Sequence, residues 1–156
     1  MAKVYRSHAY FYKHMPVFPG DTPSSLEKVK TFSDGGYLVT RFSSGMHVGT
    51  HIDSPAHFIE NGKMICEFPL DKFYGAGVLI DARGDASVKK VIDESVLENI
   101  KIPKNSIVLV LTGHDKKFRD KDYYETYPVV TESFANKLIE LGVSIVGFDS
   151  PSPDRA

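Results

Sequence analysis

Apolar and polar positions along the chain sort into short runs separated by turn residues, and the period of each run predicts its element. Val4 to Tyr10 reads as a strand. Met15-Pro-Val-Phe-Pro-Gly-Asp21 follows, and its paired prolines and Pro-Gly step force an extended loop and turn that presents Phe18 on rigid backbone. Leu26 to Phe32 and Tyr37 to Phe42 predict two strands joined by the hairpin-like turn Ser33-Asp-Gly-Gly36. Gly77 to Asp81 and Ser106 to Leu111 are aliphatic runs of strand length, expected as central strands buried on both faces. Asp93 to Ile100 predicts a short helix, with Asp93 as N-cap and Glu94 near the positive helix start. A longer helix is expected after Thr131, where Phe134, Ala135, Leu138, Ile139 and Leu141 form one apolar stripe and Gly142 supplies a left-handed C-terminal residue. Val143 to Phe148 then returns as a strand.

Strand, helix and strand from Ser106 to Phe148 make a right-handed crossover, so the sheet is at least partly parallel and the class is α/β, with α+β as the alternative. A length of 156 residues suits one domain, and no repeat, low-complexity tract or linker divides it. A hydrophobic fraction of 42% and a charged fraction of 25% describe an ordinary water-soluble globular protein. The net charge of -1 supplies no field to gather nucleic acid or an anionic membrane. In Lys116 to Glu125 the interleaved acids cancel the basic residues, which favours a solvated, Tyr-anchored loop over a nucleic-acid surface. No apolar run approaches the roughly 20 residues of a membrane span. The N-terminus lacks the apolar centre of a signal peptide, and the single cysteine, Cys66, is expected as a small buried apolar residue of a reducing compartment. The expected location is therefore cytoplasmic.

The chemistry concentrates in one segment, His47-Val-Gly-Thr-His51-Ile-Asp53-Ser-Pro-Ala-His57, which holds three of the six histidines. Imidazole and carboxylate suit zinc, manganese or iron(II), and the lack of a thiolate favours an open catalytic site over a closed structural one. A straight strand would put His47 and His51 roughly 13 Å apart, too far to share an ion bound at about 2 Å. A helix would stack them, but Val48-Gly49-Thr50 is a poor helical filling. The segment must bend, and Gly49 can adopt the backbone angle that folds His47 back beside His51 and Asp53. Ser54-Pro55 resembles an N-cap and first helical residue, placing His57 one turn into a short helix. Three ligands, His47, His51 and Asp53, leave a position for water, and His57 could shuttle a proton between that water and a leaving group. His57 as a fourth ligand, or as a donor to a backbone carbonyl, is the alternative.

The segment resembles the signature of the cyclase-like family of metal-dependent hydrolases, His-x-Gly-Thr-His-x-Asp-x-Pro-x-His, at every fixed position; bacterial kynurenine formamidase and isatin hydrolase belong to that family. Pro16 to Asp21, Leu111 to Asp115, Tyr123 to Pro128 and Val146 to Asp154 are also similar to it. The resemblance implies a swivelling β/β/α-type fold, a mixed sheet with flanking helices, assembled as a homodimer or higher homo-oligomer. It implies that His47, His51 and Asp53 bind a divalent metal, zinc first and manganese second, as one ion or as two bridged by Asp53. It implies that His57 is the proton donor and acceptor, and that Phe18 is either a substrate-contacting aromatic or a plug of its loop. Family members continue into a stretch that supplies a further His and a Glu, whereas this chain stops at Ala156. His8, His14 and His114 are the histidines left to substitute. The expected activity is hydrolysis of an amide in a small-molecule substrate, N-formylkynurenine first, with a cyclic amide such as isatin as a variant. The alternative of another class is a truncated or degenerate homologue that serves in binding or assembly.

Overall fold

The computed structural model describes residues 11–12, 14–88 and 90–155, and the chain divides into two compact units, Met1–Ile65 and Cys66–Ala156. The strand expected over Val4 to Tyr10, and His8 within it, lie outside the described residues.

In the first unit, β1 (Ser25–Lys30) pairs antiparallel with β2 (Val39–Ser43). Leu26 stands opposite Phe42, and Glu27 opposite Arg41, where an exposed ion pair of 3.2 Å forms. The register slips between Lys28 and Lys30. The connection is longer than the expected hairpin turn: β1 ends at Lys30, β2 begins only at Val39, and between them α1 (Phe32–Gly35) makes one helical turn, stopped by Gly36 at φ 75°. Phe32, expected in the strand, opens that turn and is exposed. Beyond β2, Ser54 in extended conformation and Pro55 at the first helical position begin a single 3-10 turn, Pro55–His57, as the Ser-Pro pair predicts.

The second unit is a mixed α/β arrangement. Its three-stranded sheet runs β3 (Gly77–Asp81), β5 (Ile107–Leu111), β7 (Ile145–Phe148), all parallel. Between β3 and β5 lie α2 (Arg83–Val88) and the short β4 (Val91–Ile92), which pairs in parallel with β6 (Val129–Val130). From β6 the chain enters α3 (Glu132–Glu140), where Thr131 Oγ1 accepts from the Phe134 amide at 3.1 Å. Ile80, Val108 and Val110 meet Phe134 and Leu138 of α3 in the hydrophobic core.

The structure corrects several expectations. The strands are not buried on both faces: alternate residues Leu79 and Leu109 are 63% and 48% exposed, and β3 is an edge strand while β5 is central. The α3 stripe is narrower than its apolar residues imply, because Ile139 points to solvent at 74% exposure. Asp93 does cap, accepting from the Ser95 amide at 3.0 Å, but it opens a 3-10 turn, Glu94–Leu97, rather than a helix to Ile100. Cys66 is exposed.

The ends of β5 and β7 are tied by one carboxylate. Asp149 accepts from the Thr112 amide at 2.8 Å, the Thr112 hydroxyl at 2.6 Å and the Gly113 amide at 2.7 Å. The next loop along the chain is anchored by tyrosines, as its composition predicts: Tyr123 and Tyr127 are buried, and the Tyr127 hydroxyl donates to the Asp154 carbonyl at 2.8 Å. Burial pushes the Tyr123 phenol up to about 12, so it stays neutral and serves as a packing anchor.

Candidate active site

The loop after β2 folds the histidine segment onto itself. Gly49 sits at φ 66°, in the left-handed region that other residues avoid, and the chain reverses there. The Met15 methyl packs against this bend, 3.2 Å from where a Cβ on Gly49 would lie, and Met15 itself is buried.

The reversal brings His47, His51 and Asp53 together. His47 Nδ1 lies 2.7 Å from Asp53 Oδ1, His51 Nε2 lies 3.4 Å from the same oxygen, and the two ring nitrogens are 3.3 Å apart. Ligands about 2 Å from one tetrahedral ion stand about 3.3 Å from each other, so this triangle has the size that a single divalent cation needs. Among the described residues, it is the group of His, Cys, Asp and Glu donors within ligand range.

The tautomer of His51 is set by a further contact. Its Nδ1 lies 2.8 Å from the Gly49 carbonyl, which only accepts, so Nδ1 carries the proton and Nε2 keeps its lone pair for the centre of the triangle. The same bend therefore orients the ring it brings in. The three side chains are about one third exposed (36% for His47, 32% for His51 and 42% for Asp53), which leaves the donor atoms accessible to water and to a small molecule.

His57 stands apart from the donor triangle. Its ring stacks on His47 with centroids 3.7 Å apart and planes 24° from parallel, and it touches the Phe58 ring at 4.1 Å. Phe18 is half-buried in a turn closed by the Asp21 amide on the Phe18 carbonyl at 3.0 Å. Of the remaining histidines, His14 is exposed, at φ 62°. His114 is buried and already engaged, donating from Nε2 to the Tyr123 carbonyl at 2.8 Å and stacking on the Tyr123 ring at 4.9 Å. Neither belongs to the triangle. Sequence reasoning missed two residues that shape the site, Met15 behind Gly49 and Gly62 behind Pro55 and Ala56. Met15 acts across 34 positions of chain and Gly62 through the closure of its own loop, and neither contact is encoded by a residue motif.

Known proteins resemble this chain in sequence and in fold. The kynurenine formamidase of Geobacillus thermodenitrificans strain NG80-2 is 33% identical over 144 residues, covering 91% of this chain and 66% of that protein. A solved structure described as a potential metal-dependent hydrolase with cyclase activity superposes with a TM-score of 0.78 at 27% identity, covering 99% of this chain and 71% of that one. Isatin hydrolase A from Labrenzia aggregata, solved with benzyl benzoate, superposes with a TM-score of 0.77 at 25% identity, covering 88% of this chain and 61% of that one. The chain spans slightly less than two thirds of the length of the curated relatives it matches. The family model described as "Putative cyclase" matches residues 7–155, and on that match the chain belongs to the cyclase family.

Proposed function

We propose that this chain carries a metal-dependent hydrolase site for a carbon–nitrogen bond in a small-molecule amide, of the arylformamidase type, converting N-formylkynurenine to kynurenine and formate in tryptophan catabolism. The observation that supports it most directly is the donor triangle of His47 Nδ1, His51 Nε2 and Asp53 Oδ1. Two imidazoles and one carboxylate would hold a divalent cation, zinc first and manganese second, as one ion or two. A cation held there supplies Lewis acidity, activating water and polarising a carbonyl oxygen.

The chain's own residues supply the rest. His47 and His51 hold their donor nitrogens in place, His51 through its Nδ1–H on the Gly49 carbonyl. His57, stacked against His47 at the rim of the triangle, serves as general acid and base. It takes a proton from the attacking water as oxygen bonds to the acyl carbon, and returns it to the nitrogen as the carbon–nitrogen bond breaks. Phe18 contributes an aromatic face for the substrate ring. The protein works as a cytoplasmic homodimer or higher homo-oligomer.

Purified protein loaded with zinc or manganese is expected to bind at least one ion per chain and to cleave N-formylkynurenine. Less than one ion per chain together with no metal-dependent cleavage of N-formylkynurenine or isatin sinks the enzyme reading. His57→Ala is expected to keep the metal and lose about 10²–10⁴-fold in turnover. Loss of the metal instead would make His57 a ligand. Likeness to isatin hydrolase A favours a second reading within the same chemistry, opening of a cyclic amide, which cleavage of isatin in preference to N-formylkynurenine would select.

A further inference from the structure

We infer that Gly62 is a positioning residue for His57, setting the place of the proton-carrying ring independently of the metal ligands; this rests on the acid–base role proposed for His57. None of the residues from Pro55 to Gly62 is buried, so packing of side chains into a core does not locate His57. Backbone hydrogen bonds locate it. The His57 amide donates to the Ser54 carbonyl at 2.9 Å, and the Phe58 and Ile59 amides to the Pro55 carbonyl at 3.2 and 2.8 Å. The Gly62 amide donates to the Ile59 carbonyl at 2.9 Å, and the Ala56 amide closes the loop on the Lys63 carbonyl at 3.2 Å. Asn61, at φ 61°, turns the chain back for that closure.

The closure presses residue 62 onto the peptide that precedes His57. A Cβ on Gly62 would lie 2.7 Å from the Pro55 carbonyl carbon and 2.8 Å from both the Pro55 oxygen and the Ala56 nitrogen. Non-bonded carbon atoms prefer about 3.5–4.0 Å, and these three atoms are backbone, which cannot swing aside as a side chain does. Gly62 is not among the residues at positive φ, so the requirement for glycine here is space rather than backbone angle. Any side chain at 62 must therefore displace the Pro55–Ala56 peptide or open the Ala56–Lys63 bond. His57 follows one residue after that peptide. The donor triangle lies on the other side of Pro55, whose ring restricts φ and stiffens the junction. The displacement is therefore directed to His57, away from its stack on His47, while His47, His51 and Asp53 keep their mutual contacts.

The test uses the zinc-loaded chain with labelled histidines, the His57 ring resonance being assigned through His57→Gln. Gly62→Ala is expected to displace the His57 resonance, to retain the wild-type zinc content, and to lower kcat on N-formylkynurenine by about 10²-fold with KM unchanged. An unmoved His57 resonance overturns the inference. So does loss of zinc, which would show that the loop holds the ligands, and so does an unchanged kcat beside a displaced ring. Should wild type fail to cleave N-formylkynurenine, a displaced His57 resonance at full zinc content still supports the positioning role, and the hydrolase reading alone falls. Should Gly62→Ala fail to fold, Asn61→Val strains the same turn through its left-handed φ; a displaced His57 ring supports the inference and an unmoved one overturns it.

Discussion

Gly49 carries two constraints at once, a φ of 66° and the Met15 methyl 3.2 Å from the position of a Cβ. The methyl is the far end of a flexible side chain and can retreat, so the backbone term decides the outcome of a substitution. A left-handed conformation costs an L-residue roughly 1–2 kcal/mol, and here it holds His47 beside His51. Gly49→Ala is therefore expected to weaken zinc binding by about tenfold, the equivalent of about 1.4 kcal/mol, in a calorimetric titration. Unchanged affinity would show that the donors converge without this bend. Gly49 was legible in the sequence because the geometry demanded it: neither a strand nor a plausible helix brings His47 to His51, and a reversal with glycine at its apex does. Met15 and Gly62 were not legible: Met15 meets Gly49 from 34 positions away, and Gly62 is pressed on the Pro55–Ala56 peptide by a loop closure that no residue pattern announces.

At the scale of elements, the end signals of α3 act as its sequence implies. Thr131 caps the first turn through the Phe134 amide, and Gly142, at φ 69°, comes after the last. Thr131→Ala is expected to cost about 1 kcal/mol and to lower the melting temperature of the second unit by about 4–8 °C, with zinc content unchanged. A melt that does not move would place the strength of this helix in Phe134 and Leu138 alone. Elements with caps or a sustained apolar period were readable, among them β3, β5, α3 and β7. β4 and β6, two residues each, were not, since a pair of β-branched residues has no period and their pairing joins positions 91 and 129. The expectation of burial on both sheet faces failed for a related reason. An aliphatic run such as Ile107 to Leu111 records preference for strand, and only the fold decides that Val108 and Val110 are covered while Leu109 is exposed.

Across the whole molecule, buried residues are distributed unequally. In residues 1–65 the buried ones among those described are Met15 and Ser24, whereas the hydrophobic cluster from Ile80 to Leu138 lies entirely in residues 66–156. A two-stranded hairpin such as β1–β2 is marginal in water without further packing. The segment after it, through His47, His51 and Asp53 to His57, has partly exposed side chains and is held by polar contacts. A cation that binds only the folded triangle stabilises it by about 2.7 kcal/mol at a free concentration 100 times its Kd. That contribution belongs to openings that break the triangle, and openings confined to β5 or α3 gain nothing from it. Hydrogen exchange monitored by mass spectrometry is thus expected to show peptides within residues 39–63 slowing by about 100-fold between chelator and saturating zinc, with peptides from β5 and α3 unchanged. Slowing spread evenly over both units would instead show that they open together. No slowing at residues 39–63 would mean that the triangle, despite its size, does not bind the ion.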